Sequence, residues 1–568
     1  MLRTKFVSSL EKVFYDQSIE DFSSLERISV LRGERLSIQL LYAFDHDDTH
    51  TTSLFHTVRL NGELAKYSVL RAVKHLPVMK YDGDYSNPNL EEYLRLPPGL
   101  FPDLLSPLQK DNVFPVCDRV LESIWIDIEI PKDIKAVEYA LSADVFCIDE
   151  QISFGRGEPV LSAVASIKIE VIGATIPKQT LIHTEWLYTD CLSQYYNIPV
   201  WSEKHWEIIE NFTKCAVKNG VNMLLTPVFT PPLDTAIGGE RLTTQLVGIK
   251  KNGNRYTFNW KLLDRWIEMC DRVGIEYFEI SHLFTQWGAA HAPKIMATEG
   301  GEYKQIFGWN TDAHGEEYKK FIKSFLKAFL KHMNDRGDEK RCFFHISDEP
   351  NEYQLPDYKK SKRIVDNILK DHIIMDALSS VKFYKKGITS TPVPSVSHAE
   401  EFIDEGIENL WIYYCGGGFS GYSSRMVAKG SYNNRSLGMQ MYKSRVVGFL
   451  HWGFNFYNTK RSLDSLNPFV DLSGWHWVPA GDTFMVYPSQ NGEALESLRV
   501  VVFNEGLQDM RAMQLCESLY SHEEVVAAIE EELSRELTFR TCANSAEEMI
   551  RIRERINRMI KEAIENGE

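Results

Sequence analysis

The chain has 568 residues, more than one hydrophobic core holds, and this length predicts two or three domains. Its formal net charge of −16 argues against nucleic acid and anionic membranes as partners. The nine cysteines form no CxxC pair and no Cys/His metal spacing, which predicts reduced thiols and no metal site of that kind. We expect no cofactor. No apolar run is long enough for a signal peptide or a membrane span, so we expect a cytoplasmic protein, or a secreted one whose leader was removed.

The first 180 residues have the pattern of a β domain. Short segments rich in Val, Ile and Leu alternate with turn-forming clusters such as "HDDTH". The predicted strands include Arg35–Phe44, Ser123–Ile130, Glu138–Phe146 and Ser162–Ile172. Residues 1–180 are therefore predicted to form a β-sandwich.

From residue 181 the pattern changes to strands that alternate with helices. Seven strands are predicted, and an eighth is expected between Asp371 and Thr391; the seven are His183–Tyr188, Asn222–Phe229, Tyr277–Leu283, Cys342–Ile346, Leu410–Tyr414, Val446–Trp452 and Thr483–Tyr487. The helices between them include Lys204–Asn219, Trp260–Val273, Glu316–Asn334, Asp357–Ile373, Ala399–Glu405 and Tyr432–Ser444. Eight such units predict a (β/α)8 TIM barrel over residues 181–515. A doubly wound sheet is the alternative, but no GxGxxG follows any strand.

Three charged helices are predicted near the end of the chain, over 492–520, 522–537 and 545–566. Their charges are typical of solvated helical faces. Residues 516–568 are accordingly predicted to be a C-terminal helical extension.

Two adjacent carboxyl groups, Asp348 and Glu349, follow the apolar segment "CFFHI" of the fourth predicted strand. In a TIM barrel the active site lies at the C-terminal ends of the strands. Two neighbouring carboxyls resist ionising together, which leaves a protonated acid beside a carboxylate near neutral pH. This pair is the predicted catalytic pair, with capping of the next turn as the structural alternative.

The adjacency of the two carboxyls favours one mechanism. Retaining glycosidases usually hold their carboxyls roughly 5–5.5 Å apart across the scissile bond, whereas neighbouring residues are poorly placed to flank a sugar carbon. A substrate-assisted route suits them better. In that route Glu349 is the general acid and base, and Asp348 orients a 2-acetamido group that attacks the anomeric carbon.

Several motifs resemble glycoside hydrolase family 123. They are "HTEWLYTDCL" (183–192), "TPVFTPPLDT" (226–235), "GGERLTTQL" (238–246), "HISDEP" (345–350) and the closing stretch 481–513. The resemblance implies a retaining, metal-free β-N-acetylgalactosaminidase that acts on oligosaccharides or glycoconjugates with terminal β-linked GalNAc. It also implies an N-terminal β-sandwich and places the family's Asp-Glu pair at Asp348 and Glu349. The residues alone do not decide between GalNAc and GlcNAc.

Other residues at or near the predicted strand ends are candidates for the sugar pocket. The substrate-binding candidates are His282, Trp287, Tyr414, Trp452, Trp475 and Trp477. Aromatic rings stack on the apolar faces of sugars, although each Trp equally fits core packing and His282 equally fits a structural histidine. Asp234 and Arg241 are expected to form an ion pair that shapes the rim.

Two rival functions stay open at this point. A conventional retaining glycosidase needs a separate nucleophile, for which Glu279 and Asp471 are candidates. A non-catalytic carbohydrate-binding protein would not need the adjacent carboxylates. A metal hydrolase is less favoured because no HxH or HExxH occurs.

Overall fold

The structure is a computed structural model that describes residues 2–44, 54–79, 93–148, 158–416 and 421–567. The chain divides into two compact units. The first comprises Met1–Gln179, Gly418–Ser444 and Leu495–Glu568, and the second comprises Thr180–Gly417 and Arg445–Ala494.

The strands are numbered in chain order. They are β1 (Leu2–Ser8), β2 (Arg27–Arg32), β3 (Arg35–Phe44), β4 (Leu54–Asn61), β5 (Ser68–Val78), β6 (Gly99–Pro107), β7 (Val113–Val116), β8 (Glu122–Glu129), β9 (Glu138–Ile148), β10 (Val160–Thr175), β11 (Ile182–Glu185), β12 (Met223–Thr226), β13 (Gly248–Asn252), β14 (Arg255–Asn259), β15 (Tyr277–Ile280), β16 (Ile295–Glu299), β17 (Glu302–Phe307), β18 (Cys342–Phe344), β19 (Ile373–Ala377), β20 (Thr391–Val393), β21 (Trp411–Tyr414), β22 (Gly448–His451), β23 (Val486–Pro488) and β24 (Ala494–Glu496).

The α-helices of the described residues are numbered in the same way. They are α1 (Thr189–Tyr195), α2 (Glu203–Lys218), α3 (Lys261–Val273), α4 (Glu316–Arg336), α5 (Leu355–Leu369), α6 (Lys382–Lys385), α7 (Ala399–Asp404), α8 (Ser431–Lys443), α9 (Leu498–Leu519), α10 (His522–Leu533) and α11 (Ala546–Gly567).

The first unit contains two five-stranded sheets, β1-β3-β8-β5-β6 and β2-β10-β9-β4-β7. Side chains of both sheets, among them Ile38 and Ile126 from one and Leu141 and Ile169 from the other, form one hydrophobic cluster. The alternation of buried and partly exposed positions along β9 shows why its sequence reads as a strand with one face on a core. The N-terminal region is thus β-rich, as the sequence predicts.

The same unit contains α8 to α11 and a buried ion network. Arg553 on α11 contacts Glu34 at 2.5 Å and Asp509 at 2.9 Å. Arg435 on α8 also binds Asp509, at 2.6 Å. These charges lie out of water, so each depends on its partners for compensation.

The second unit is built on eight parallel strands. The order β20-β19-β18-β15-β12-β11-β22-β21 places the first strand, β11, between the second and the last. A parallel bridge between Ser395 and Tyr413 joins the two outer strands, and the Tyr413 N–H donates to the Pro394 carbonyl at 2.8 Å. The sheet is therefore a nearly closed barrel of eight strands, consistent with the predicted alternation of strands and helices.

Several boundary predictions are confirmed. Helices α2, α3, α4 and α8 lie where the sequence predicts them, and β3 has the predicted bounds. Gly274 ends α3 in the left-handed conformation with φ 101°, as expected for a glycine after a helix. The expected strand between Asp371 and Thr391 is β19.

Two barrel strands differ from the prediction. The sixth strand is β20, three residues that include Pro392 and were not predicted as a strand. The segment Thr483–Tyr487 is not a barrel strand, because β23 pairs with β24 in a separate two-stranded sheet. Its apolar run reflects burial, which periodicity cannot distinguish from a barrel strand. As a result β21 and β22 are the seventh and eighth strands rather than the sixth and seventh.

Within the described residues, no helix combines the length and apolar character needed to cross a membrane. The same part of the chain contains no group of three or more His, Cys, Asp or Glu side chains arranged to hold a metal ion.

Candidate active site

A sharp turn after β18 carries the acidic pair. Glu349 has a positive φ of 41°, a left-handed conformation that non-glycine residues rarely adopt. Its N–H donates to the Ala377 carbonyl at 3.1 Å, and the Asp348 carbonyl accepts from the Trp287 N–H at 2.9 Å. Backbone strain of this kind persists only where surrounding contacts hold it, which is common at functional sites.

The left-handed turn changes an expectation about the two side chains. In an extended strand consecutive side chains point to opposite faces. Here burial, then Glu349 and then Asp234 raise the pKa of Asp348 well above its ordinary value, so its carboxyl lies near both. The carboxyls of Asp348, Glu349 and Asp234 therefore influence one another electrostatically as one acidic site.

Two further carboxyl groups join this site. Burial raises the pKa of Asp234 to about 7; Arg241 opposes the shift, while Glu349 and Asp482 add to it. Asp234 follows β12, and Asp482 lies in the segment after β22. We define the acidic cluster as Asp234, Asp348, Glu349 and Asp482. The raised pKa values of Asp234 and Asp348 favour their protonated forms, because burial and like charges disfavour ionisation.

Tyr413 on β21 contacts the acidic cluster directly. Its hydroxyl donates a 2.6 Å hydrogen bond to Oε1 of Glu349. Burial and the charge of Glu349 raise the pKa of this phenol well above its ordinary value, so it stays a donor. The bond fixes the orientation of the Glu349 carboxyl.

The walls beside Asp482 are aromatic. Trp452 Nε1 donates to Oδ2 of Asp482 at 3.0 Å, and the Trp452 and Trp477 rings are 5.7 Å apart. The ring of Tyr414 meets His451 edge to face at 5.7 Å, and His451 Nε2 lies 3.5 Å from Oδ1 of Asp482. Three of the predicted sugar-pocket aromatics are thereby connected to the acidic cluster.

The remaining predicted pocket residues lie in different environments. Trp287 is half-buried, with the Arg461 guanidinium 5.9 Å from its ring centroid. Trp475 is 71% exposed on a turn where its N–H donates to Asp471 at 2.7 Å.

His282 is only 1% exposed and stacks on His345, with ring centroids 4.3 Å apart. Its position favours packing over contact with a substrate.

Beneath the acidic pair lies a buried charged triad, defined as Glu279, His345 and Asp376. His345 Nε2 is 2.7 Å from Oε1 of Glu279, and its Nδ1 is 3.4 Å from Oδ1 of Asp376. All three side chains are fully buried. Burial alone lowers the pKa of His345, but Asp376 and Glu279 outweigh it and raise the pKa to about 9.

Some predicted roles do not fit these contacts. Arg241 forms its ion pair with Asp190 at 2.7 Å, not with Asp234. Glu279 is enclosed by His345 and the indole N–H of Trp186, and Asp471 accepts the N–H groups of Ser473 and Trp475. Neither carboxylate is arranged as a nucleophile, because both are engaged by fixed donors.

Three residues of the site were not found from the sequence. Asp482 lies in the closing stretch 481–513 but was not singled out there as a site residue. Asp376 lies in a segment without a motif, and Tyr413 is the neighbour of the residue that was chosen on β21. Of the three residues, only Asp482 had a usable signal, the glycine at position 416. A Cβ added at Gly416 would lie 2.7 Å from Cγ of Asp482. A glycine directly after a strand end marks such close approach.

A barrel that gathers two adjacent carboxyls and aromatic side chains at one end of its strands is typical of a carbohydrate-cleaving enzyme. The chain belongs to glycoside hydrolase family 123, because the model "Glycoside hydrolase 123, catalytic domain" matches residues 186–516. It is therefore a glycoside hydrolase, and its substrate is a glycan or glycoconjugate.

A solved family 123 structure shares the fold of this chain. A family 123 glycoside hydrolase from Clostridium perfringens, described for glycolipid glycan hydrolysis, is 16% identical with a TM-score of 0.72, over 100% of this chain and 98% of that one. A β-glucuronidase from Bifidobacterium dentium, solved with coumarin-3-O-glucuronide, is 6% identical with a TM-score of 0.31, over 90% and 66% of the two chains. No curated protein matches the sequence.

Proposed function

We propose that the enzyme removes terminal β-linked N-acetylgalactosamine from oligosaccharides or glycoconjugates by a retaining, substrate-assisted mechanism. The observation that carries the proposal is the left-handed turn at Glu349, which directs two consecutive carboxyls to one acidic site. Such a pair acts from one side of the sugar, so the nucleophile comes from the substrate. The preference for GalNAc rests on the family motifs.

In this mechanism Glu349 is the general acid. Protonated Glu349 delivers its proton to the glycosidic oxygen as the C–O bond breaks, and the acetamido oxygen forms the new bond at the anomeric carbon. Glu349, now ionised, then takes a proton from the water that opens the oxazolinium ring. The Tyr413 hydroxyl holds the Glu349 carboxyl through both steps.

Asp348 has the complementary role. Its carboxylate accepts the acetamido N–H, which orients the carbonyl oxygen and offsets the positive charge that develops on the ring. A proton on Glu349 removes one of the charges that raise the pKa of Asp348. The proposed mechanism needs the proton on Glu349 and the charge on Asp348 at the start of the reaction.

The aromatic residues supply the sugar-binding faces. We assign this role to Trp452, Trp475 and Trp477, with Trp287 and Tyr414 at the edges of the site. Trp475 is exposed, Trp477 is half-buried and Trp452 is buried. An indole that buries apolar area against a ring gains about 0.5–1.5 kcal/mol beyond that burial when geometry is good.

A conventional retaining mechanism is the second candidate, because Asp234 and Asp482 also belong to the acidic cluster. Asp482 is fully buried and accepts the Trp452 N–H, and Asp234 has a pKa of about 7, which makes it a weak anion at neutral pH. Both features favour the acetamido group as the nucleophile.

The test compares the p-nitrophenyl β-glycosides of GalNAc, GlcNAc and galactose as substrates of the wild type, Glu349→Gln and Asp348→Asn. Glu352→Gln is the control, since this nearby carboxylate is exposed and pairs with Lys382. We expect cleavage of the GalNAc compound alone, retained in the control and reduced by about 10²-fold or more in both site variants. Inhibition by a GalNAc-derived thiazoline would support the bicyclic intermediate; cleavage of the galactoside would contradict the proposal.

A further inference from the structure

The charged triad occupies a defined place in the barrel. His345 directly follows β18, Glu279 lies on the neighbouring strand β15, and Asp376 lies on β19, the neighbour on the other side. Each strand beside the catalytic strand thus contributes one carboxylate, and the imidazole joins them. None of the three side chains touches water.

The geometry suits a charged imidazole. Nε2 of His345 makes a 2.7 Å hydrogen bond to Oε1 of Glu279, and Nδ1 lies 3.4 Å from Oδ1 of Asp376, an ion-pair contact without a hydrogen bond. The remaining carboxylate oxygens are occupied as well. The Thr184 hydroxyl donates to Oε2 of Glu279, and the Tyr358 hydroxyl donates to Oδ2 of Asp376.

The groups packed around His345 agree with this charge. His282 stacks on its ring, and burial followed by the charge of His345 lowers the pKa of His282 well below the ordinary value. Trp186 meets the His345 ring edge to face at 6.5 Å. His282 is therefore the neutral member of the stacked pair and His345 the cation.

The triad is connected to the catalytic turn through the main chain. Oδ1 of Asp376 accepts the N–H groups of Ile346 at 2.9 Å and of Ser347 at 3.3 Å. The next residue, Ala377, accepts the Glu349 N–H at 3.1 Å. The contacts of β19 thus hold both ends of the segment from Ile346 to Glu349.

The charge of His345 also acts on the acidic cluster. Burial, Glu349 and Asp234 disfavour an ionised Asp348, and His345 is the cation that acts in the opposite direction. The proposed mechanism needs Asp348 as an anion at the moment the acetamido group binds. The positive charge of His345 opposes the upward shift of the Asp348 pKa, although burial and the surrounding carboxyls still leave that pKa raised.

We propose that His345, held as a buried imidazolium between Glu279 and Asp376, is a positioning residue that favours the ionised form of Asp348 and fixes the turn that carries Glu349. This inference rests on the proposed function for its catalytic consequence, but not for the charge of the triad. It predicts a change in the pH profile rather than a uniform loss of activity.

The experiment uses the full chain and two matched variants, His345→Gln and His282→Gln. Both replace a buried histidine, and the two rings stack on each other, but only His345 carries charge. In His345→Gln the acidic limb of kcat/KM against pH should move up by about one to two units, because an anion loses a neighbouring cation. Activity at pH 6 should then fall about tenfold or more and partly recover at pH 8. In His282→Gln the acidic limb of kcat/KM against pH should stay at its wild-type position.

A second measurement does not depend on any substrate. The imidazole nitrogen shifts of ¹⁵N-histidine-labelled protein, with His345 assigned by its absence in the variant, should show a doubly protonated ring up to about pH 8. In Asp376→Asn the ring should lose its proton at lower pH. A neutral His345 at pH 7, or an unshifted limb in His345→Gln, would overturn the proposal. Failure of the proposed function alone would show as no hexosaminide cleavage with the imidazolium signal intact.

Discussion

The hydroxyl of Tyr413 lies 2.6 Å from Oε1 of Glu349 and donates to it across the closing edge of the barrel. The same residue makes the parallel bridge to Ser395 that joins β20 to β21. The backbone of Tyr413 therefore helps to close the barrel, and its side chain orients the carboxyl of Glu349, the proposed acid.

Tyr413→Phe should reduce kcat/KM by about 10- to 100-fold, since a hydrogen bond to a charged group contributes about 1.5–3 kcal/mol. Steady-state kinetics on the GalNAc compound measure this. Tyr318→Phe is the control, because it removes a buried hydroxyl that donates to the Leu283 carbonyl, away from the acidic cluster. Equal losses of kcat/KM in Tyr413→Phe and Tyr318→Phe would mean that the loss comes from impaired folding.

Asp234→Asn should stabilise the protein at alkaline pH. The pKa of Asp234 is raised from 3.8 to about 7, so its favourable contribution is complete below pH 3.8 and is lost as pH rises through 7. The difference in unfolding free energy between Asp234→Asn and wild type should grow from pH 5 to pH 8 in urea denaturation. The exposed Asp335→Asn should show no such trend; a flat difference for Asp234→Asn would refute the assignment.

Trp475→Ala should raise KM and leave kcat and stability nearly unchanged. The indole is 71% exposed, so its removal should alter the unfolding free energy by no more than about 0.5 kcal/mol. Loss of a stacking face worth about 0.5–1.5 kcal/mol corresponds to roughly a 2- to 10-fold higher KM. Tyr303→Ala, which removes another exposed aromatic, should leave KM unchanged.

Arg553→Met should destabilise the first unit by about 3–5 kcal/mol, because it leaves Glu34 and part of Asp509 as buried uncompensated charges. Thermal and urea unfolding measure the loss, and adding Glu34→Gln should restore part of it. Arg551→Met is a control on the same helix, where the side chain is half exposed. Similar effects at the two positions would contradict the role of the ion network.

The barrel could be predicted because its elements carry strong local patterns. Long amphipathic helices such as α4, and glycines such as Gly274, mark boundaries that tertiary contacts do not override. The three-residue strand β20 contains Pro392 and lacks any such pattern. It is a strand only because β19 pairs with it.

The site was predictable where chemistry and chain position coincide, as at Asp348 and Glu349. The site was not predictable where residues that are distant in the sequence come into contact. On β21 the sequence offers two adjacent tyrosines, whose side chains point to opposite faces, and only the packing decides that Tyr413 binds Glu349 while Tyr414 meets His451. Asp376 and Asp482 could not be predicted for the same reason: their roles depend on neighbours on other strands.

The segmented first unit has a consequence for synthesis. Glu34 and Arg553 are separated by 519 residues in the chain. At about 5–20 residues per second, roughly half a minute to two minutes pass between the emergence of the acid and that of its base. The second unit ends at Ala494, so all its residues leave the ribosome before the last helices of the first. The strands that are translated first thus belong to the unit that is completed last, and Glu34 has no Arg553 as its partner until that helix has been synthesised.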